Sequence, residues 1–287
     1  MLEPDDKVGY LLRPGMSFAK RQLGFSIDAN RFGLRGPDFD GADNVIMGTS
    51  YGMGFGVDVG LNWYDLALNA QRWFNAALPV GPMEWCAILD RYYRGNYGHA
   101  LFIYHPNFMQ HGVAYLKWKK TGRNVFDYMG WQTSWLKCAK MRLRNLVRHN
   151  QRLNDGSLIY YREKGVKYKI NGRYVVLDDR DFKYFNEVSG MLLRLLKRFD
   201  RVTVLCVKIK EELVPEEYQT QCLKASLKQY DVFWNVTRMA LEKHESIEFY
   251  DAPEFGLSAY NPYDTHWNAL GNRLFADYIS REFNNFE

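Results

Sequence analysis

A serine lies in a glycine-rich segment that directly follows a short apolar run. The run is Asn44–Gly48, the serine is Ser50, and the glycines are Gly52, Gly54 and Gly56. A strand ending in such a loop would present the hydroxyl at the carboxyl edge of a sheet, where an adjacent base could activate it as a nucleophile. The alternative is that Ser50 caps the following helix. A phosphate-binding loop is disfavoured because neither Gly-x-Gly-x-x-Gly nor Gly-Lys-Ser/Thr is present.

An acid and a base lie close together near the other end of the chain. Asp264 and His266 are separated by one residue. An imidazole with a pKa near its ordinary value of about 6.5 can accept a proton at working pH, and a carboxylate can fix its tautomer. By itself, a histidine at the predicted start of a helix is more often a surface residue or a cap. With Ser50, however, the pair predicts a Ser-His-Asp arrangement.

Alternating strands and helices would position these residues. The predicted strands are 44–48, 76–80, 100–104, 202–209 and 247–250, and the predicted helices are 62–74, 82–93, 215–243 and 266–283. This alternation predicts an α/β fold with a mostly parallel central sheet covered by helices on both faces. Ligands of such sheets bind at the carboxyl ends of the strands.

Two segments depart from this alternation within a chain expected to form a single domain, 1–287. Residues 1–43 carry turn signals without a sustained period and predict an irregular lead-in. Residues 110–199 predict an insertion made of a helix over 126–153, a hairpin turning at Asn171-Gly172, and a helix over 181–199. The insertion could form a wall or lid over the site.

Composition and charge restrict the partners only weakly. The chain has 287 residues, a formal charge of +5 and a pI near 8.8, so its basicity is mild. The first residues lack the features of a secretory signal, and no apolar run reaches the length of a membrane span. The sequence as written therefore predicts a cytoplasmic protein, and an extracytoplasmic location stays open if it is part of a longer chain.

A basic stripe lies on the predicted helix 126–153. Its residues are three or four positions apart: Lys137, Lys140, Arg144, Arg148 and Arg152. The stripe is either a solvated face or a contact for an acidic glycan, a phosphate-bearing donor or an anionic membrane surface. No recognised nucleic-acid-binding motif accompanies it.

Three histidines raise the question of a metal site. His105 lies near the predicted site, with His99 and His111 close to it in sequence, but no carboxylate or cysteine completes a ligand set at useful spacing. We therefore expect no metal and no bound cofactor.

The order of these segments resembles the SGNH, or GDSL-like, hydrolase superfamily, in which a serine block lies near the start and an Asp/His block near the end. The segments Lys7–Gly15 and Asn30–Gly36 are similar to the lead-in of many bacterial members, and His266-Trp-Asn-x-x-Gly-x-x-x-x-Ala is similar to the last block. The resemblance covers both ends of the chain and most of the sheet, and leaves the central insertion unmatched. It implies a three-layer α/β/α sandwich of flavodoxin-like topology.

By position, the resemblance also implies an oxyanion hole. Ser50 would be the nucleophile and its N–H the first donor, Gly81 would supply a second backbone N–H, and the Asn107 side chain would supply the third. Alternatively, Gly81 relieves a turn before Pro82, and Asn107 is only a turn residue. Next to the serine and histidine, Tyr51 and Trp267 are candidate substrate contacts.

Two departures from the family pattern refine the expected activity. Thr49 stands where the serine block usually has Asp, and Asp264 precedes His266 by two positions where three are usual, with Tyr263 in the usual place. Both variants resemble alginate-type O-acetyltransferases, although there the Asp/His block precedes the serine. The mixture implies a serine-dependent O-acyl, and specifically O-acetyl, esterase or transferase acting on a carbohydrate. A transferase would need an acetyl donor. The alternative is an inactive glycan-binding or scaffolding protein.

Overall fold

The structure is a computed structural model that describes residues 2–5, 8–20, 25–38, 41–68, 72–121, 158–171 and 181–283. Its centre is a parallel sheet of five strands: β1 (Asn44–Gly48), β2 (Trp73–Asn75), β3 (His99–Tyr104), β4 (Arg201–Cys206) and β5 (Ile247–Asp251). The strand order is β2-β1-β3-β4-β5, the flavodoxin-like order. The direction of crossing reverses between β1 and β3, and sheets of this kind bind ligands at that switch point.

The two strands at the switch point form the centre of the core. All residues of β1 and all residues of β3 are buried. Strands covered on both faces are continuously apolar rather than alternating, and both sequences follow this rule, with Asn44 and His99 as polar exceptions at their starts. The paired register places Gly48 opposite Ile103, so that the chain leaves both strands at the same edge.

Within the described ranges, six helices flank the sheet: α1 (Trp63–Ala67), α2 (Pro82–Tyr92), α3 (Asn107–Thr121), α4 (Phe182–Leu196), α5 (Gln221–Leu241) and α6 (Ala269–Glu282). They pack in two groups, α1 with α6, and α2 to α5 with one another. These groups correspond to the two faces of a doubly wound sheet. The structure is therefore an α/β fold with a parallel central sheet flanked by helices, as the sequence predicted.

Side-chain caps set the starts of three helices. Asn62, Thr220 and Asn268 each accept a hydrogen bond from the backbone N–H three residues later. Such caps satisfy donors that the first helical turn leaves open. The cap at Asn268 matters for the site because it starts α6 after His266, whereas the sequence predicted a helix from 266. His266 consequently belongs to a loop.

The segment 1–43, expected to be irregular, contains two short antiparallel hairpins. Leu2–Asp5 pairs with Gly9–Leu12, and Ser17–Lys20 pairs with Phe25–Asp28. Each strand has four residues, which is too short for an alternating pattern to stand out in the sequence.

Three other element boundaries also differ from the predictions. The helix predicted over 62–74 ends at Ala67, and the strand predicted over 76–80 lies at Trp73–Asn75. This strand is fully buried, and a short buried apolar run is compatible with helical spacing as well. The strand predicted over 202–209 ends at Cys206, and a 3₁₀ turn follows at Lys210–Leu213.

The hairpin of the central segment turns at a different place from the predicted one. Leu158–Glu163 pairs with Val166–Asn171, and the turn residues are Lys164 and Gly165, both with positive φ. Two consecutive positive φ values define the type I′ turn that Asn-Gly was expected to supply. Asn171 instead ends the second strand.

The predicted helix over 126–153 and its basic stripe lie outside the described residues. The insertion over 110–199 therefore stays a prediction. Within the described part of the chain, no helix combines the length and apolarity that crossing a bilayer requires.

Candidate active site

Ser50 lies in a tight loop at the carboxyl end of β1. The loop turns through backbone hydrogen bonds, from Met53 N–H to the Thr49 carbonyl and from Phe55 N–H to the Ser50 carbonyl. Gly56 has φ of 113°, and a Cβ there would lie 2.6 Å from the Trp267 carbonyl oxygen. Only glycine accommodates both this conformation and this approach. The glycine loop and the histidine loop can therefore meet.

Arg35 holds the serine loop from behind. Its side chain is fully buried, and its two terminal nitrogens donate to the carbonyl oxygens of Gly54 and Val57. A guanidinium presents such paired donors in a rigid plane, so one side chain fixes two points of the loop.

The three predicted catalytic side chains form one hydrogen-bonded chain. Ser50 Oγ lies 2.7 Å from His266 Nε2, and His266 Nδ1 lies 2.7 Å from Asp264 Oδ1. The His266 and Asp264 side chains are 14% and 18% exposed, so they are partly shielded from solvent without being sealed from substrate. An Nδ1–H donated to the carboxylate leaves Nε2 as the acceptor for the serine proton.

Side chains from remote segments hold the histidine loop, residues 261–266. Lys210 Nζ donates to the carbonyl oxygens of Asn261 (3.0 Å) and Asp264 (2.6 Å). Thr265 Oγ1 donates to Glu211 Oε2 at 2.6 Å. Lys210 and Glu211 are both buried, and burial lowers the pKa of Lys210 to about 8. The 3₁₀ turn after β4 is therefore a buried, charged support for the loop that carries the acid and the base.

A cleft of about 240 Å³ opens above the hydrogen-bonded chain. The loops that follow all five strands contribute to its lining, which consists of Ser50, Tyr51, Phe55, Pro79, His105, Asn107, Ile209, Thr265 and His266. The cleft thus lies at the carboxyl edge of the sheet and includes the switch point between β1 and β3.

Asn107 lies in this cleft as the first residue of α3. Its Oδ1 accepts a hydrogen bond from the Tyr230 hydroxyl at 3.2 Å. This contact orients the amide so that its nitrogen is the group left to donate into the cleft.

Gly81, the second predicted oxyanion donor, lies at the start of α2, and its role stays a prediction. It precedes the first residue of α2, and the cleft lining described above does not include it. Burial raises the pKa of Glu84 to about 8, while hydrogen bonds from the backbone N–H groups of Glu84 and Gly81 oppose this shift. A buried carboxyl of the same helix therefore lies close to the Gly81 backbone, at the third helical position where a capping glutamate is found.

Of the two candidate substrate contacts, Tyr51 lines the cleft and Trp267 does not. The Tyr51 hydroxyl donates to the Thr265 carbonyl at 2.8 Å, and its ring packs edge-on against Trp267, with centroids 4.8 Å apart. Both side chains are almost fully buried. Trp267 therefore belongs to the core beneath the histidine loop.

The described residues contain no group of three or more His, Cys, Asp or Glu side chains arranged to hold a metal ion. His99 and His105 lie at opposite ends of β3, so they do not share a site.

Three residues that position the site were not predicted from the sequence: Arg35, Lys210 and Glu211. Each lies far along the chain from the loop it supports, and no local spacing indicates such a contact. A weak signal was available for the last two, because adjacent charged residues directly after an apolar strand are unusual unless they have buried partners.

No protein-family model matches the chain, and no curated protein matches it. Among solved structures, it is similar to the crystal structure of LAE5, an alpha/beta hydrolase enzyme from the metagenome of Lake Arreo, Spain. That alignment has 11% identity and a TM-score of 0.40, and it covers 86% of this chain and 97% of the other. A similarity at this level carries no information about chemistry. The fold and site define an α/β protein of flavodoxin-like strand order with a Ser-His-Asp chain at the carboxyl edge.

Proposed function

We propose that the protein is a serine-dependent acyl enzyme of the SGNH type that cleaves or transfers short O-acyl groups, specifically O-acetyl groups of a carbohydrate. The observation that carries the proposal is the chain from Ser50 Oγ through His266 to Asp264, with both contacts at 2.7 Å, beneath an open cleft. A serine that only capped a helix would not need a hydrogen bond to a histidine.

The first half of the reaction makes an acyl-enzyme. Ser50 Oγ attacks the ester carbonyl carbon while its proton moves to His266 Nε2, and Asp264 stabilises the imidazolium. The tetrahedral intermediate then collapses. Its bond to the alcohol oxygen breaks, and the alcohol leaves with the proton from His266.

The second half releases the acyl group. Water or a sugar hydroxyl attacks the acyl carbon, His266 takes the proton of the attacker, and the Ser50 oxygen leaves and recovers a proton from His266. Water as the acceptor makes the enzyme an esterase, and a sugar hydroxyl makes it a transferase. In both halves, the Ser50 N–H and the Asn107 amide are suited to stabilise the oxyanion.

The dimensions of the cleft favour a small acyl group. Its volume of about 240 Å³ is below the roughly 300–1,000 Å³ of sites that enclose a drug-sized ligand. An acetyl group would fit beside Ser50 while the bulk of the ester stays outside. This supports an acetyl ester on a large alcohol, such as a glycan.

The test is hydrolysis of para-nitrophenyl acetate by the native chain, by Ser50→Ala and by Ser258→Ala, whose serine is exposed. We expect Ser50→Ala to lose nearly all turnover and Ser258→Ala to keep it. Mass spectrometry of the intact native protein after brief exposure should detect an acetyl adduct on Ser50. Equal rates for all three chains would defeat the enzyme proposal and favour a non-catalytic glycan-binding protein.

A further inference from the structure

His105 is a buried side chain at the cleft that the mechanism above does not use. It follows the last residue of β3, is 3% exposed and lines the same cleft as Ser50 and Asn107. Burial lowers its pKa to about 3, with the nearby His266 and His111 adding to this effect. The ring is therefore neutral under working conditions.

Its contacts define which nitrogen carries the proton. The Asn107 backbone N–H donates to His105 Nδ1 at 3.2 Å. In a neutral imidazole the other nitrogen must then carry the hydrogen. His105 Nε2 is buried and has no hydrogen-bond partner among the described residues. His105 thus brings to the cleft of Ser50 a buried N–H donor that has no partner among the described residues.

The ring is also fixed in orientation. It stacks on Tyr51, with centroids 5.2 Å apart and planes at 26°, and it meets Tyr230 edge-on at 6.2 Å. Tyr51 and Tyr230 are themselves buried. A donor held in place before substrate arrives needs no reorganisation during the reaction, which is the property that makes oxyanion donors effective.

A second histidine of the same strand provides the contrast. His99, at the start of β3, is also buried and kept neutral by burial, which lowers its pKa to about 4. Its Nε2 has a partner, Thr203 Oγ1, at 3.0 Å. A histidine with only a packing role in this sheet thus has its ring nitrogen satisfied by the protein, whereas His105 Nε2 lacks such a partner.

We propose that His105 Nε2–H donates a hydrogen bond to the carbonyl oxygen of the bound acyl group and to the oxyanion formed from it, taking the place expected for the Gly81 N–H. This assignment rests on the proposed function, because it requires an acyl substrate on Ser50. His105 would then join the Ser50 N–H and the Asn107 amide as a third donor.

The first test compares two substitutions of equal length, His105→Gln and His105→Met, in turnover of para-nitrophenyl acetate. Gln retains an N–H donor and Met does not. We expect Met to lower kcat about 100-fold to 1,000-fold with little change in KM, as for loss of one oxyanion donor, and Gln to retain most of the turnover. His99→Met is the control for loss of a buried histidine, and its kcat should stay near native. Equal kcat values for the Gln and Met variants would overturn the assignment.

The second test needs no substitution at His105 and holds even if those variants fail to fold. A fluorophosphonate loses fluoride as its phosphorus bonds to Ser50 Oγ, and it places a phosphonyl oxygen where the oxyanion would form. With ¹⁵N-labelled histidine, we expect the Nε2 proton of His105 to shift downfield on modification while that of His99 stays in place. An unshifted His105 signal on a fully modified protein would refute the hydrogen bond. Failure of Ser50 to react at all would instead count against the proposed function.

Discussion

Two loops hold the ends of the proton path from Ser50 through His266 to Asp264, and they are stabilised by different means. They are the serine loop, residues 48–57, and the histidine loop, residues 261–266. The serine loop is shaped by its own backbone hydrogen bonds and by glycine, with Arg35 joining two of its carbonyls. The histidine loop depends on side chains from elsewhere, namely Lys210, Glu211 and Tyr51. The serine loop is thus held mainly by contacts within itself and by one arginine, whereas the histidine loop depends on the segment after β4 and on the serine loop.

The difference predicts unequal sensitivity to substitution. Removing one partner of a buried charged contact leaves the other without compensation, and this is costly in a region of low dielectric. The serine loop has one such contact, at Arg35, and the histidine loop has two, at Lys210 and Glu211. We therefore expect damage to the histidine loop to reduce catalysis more than equivalent damage around the serine.

The largest effect should come from Asp264→Asn. The amide can no longer stabilise the imidazolium, and it favours the wrong tautomer of His266, so turnover of para-nitrophenyl acetate should fall by up to about 10,000-fold. Asp277→Asn, on an exposed position of α6, is the matched control and should keep native turnover. Substantial activity in the Asp264 variant would mean that His266 is oriented without its carboxylate.

Lys210→Met should have the next largest effect. The substitution keeps most of the side-chain length but removes the donor to the Asn261 and Asp264 carbonyls, so the loop carrying the acid can shift. A displacement of about 1 Å at a reacting group can cost about 100-fold, and we expect kcat to fall by about 10-fold to 100-fold.

Lys208→Met is the control for this prediction. Lys208 is two residues before Lys210, but it forms an exposed ion pair with Glu254 instead of holding the histidine loop. Exposed pairs contribute at most about 1 kcal/mol, so kcat should stay near native. If Lys210→Met kept near-native kcat, the histidine loop would not depend on Lys210, and the proposed difference between the two loops would be wrong.

The same contrast explains how far the sequence could predict the site. Ser50, His266 and Asp264 could be predicted because nucleophile, base and acid are distinctive residue types in recognisable local segments, and the structure brings the three together. Arg35 and Lys210 could not, because their partners are backbone carbonyls of loops remote in sequence. Every residue has a backbone carbonyl, so the sequence does not show which of them accepts a hydrogen bond from a remote side chain.

The fold shows a related limit. Strands β1 and β3 could be predicted because each is a continuous apolar run of strand length, and the turn residues beside it mark its end. Strand β2, Trp73–Asn75, was placed too late in the chain because three apolar or amide residues also fit the end of a helix. Its pairing with β1, rather than its own pattern, determines its conformation.

The third prediction tests the contact between the two loops with a pair of glycines. Gly56 and Gly60 both have positive φ, at 113° and 83°, but a Cβ at Gly60 would meet nothing within 4 Å. Gly60→Ala should therefore cost only the backbone penalty, about 1–2 kcal/mol. Gly56→Ala adds a clash with the Trp267 carbonyl, so it should lower the free energy of unfolding by about 1–3 kcal/mol more than Gly60→Ala does. Urea unfolding at neutral pH measures both values, and equal losses would show that the loops do not need this close approach.

The smallest expected effect is on the pH dependence of stability, and it concerns Glu84, whose buried carboxyl is protonated in the folded protein and lies near Gly81 at the start of α2. Burial raises the pKa of Glu84 from its ordinary value of 4.5 to about 8, so between these values the native state holds a proton that the unfolded chain has released. Stability should therefore fall as pH rises through this window, by about 1.4 kcal/mol for each pH unit. Glu84→Gln carries no proton to lose over this range and keeps the size of the side chain.

The free energy of unfolding of native protein and Glu84→Gln, measured in urea at about pH 6 and about pH 7, isolates this contribution, because other titrating groups change both chains alike. We expect the variant to gain about 1.4 kcal/mol relative to the native chain over that step. A difference independent of pH would mean that Glu84 is ionised in the folded protein. The N-terminus of α2 would then be held by a buried charge, as the histidine loop is, rather than by a neutral group.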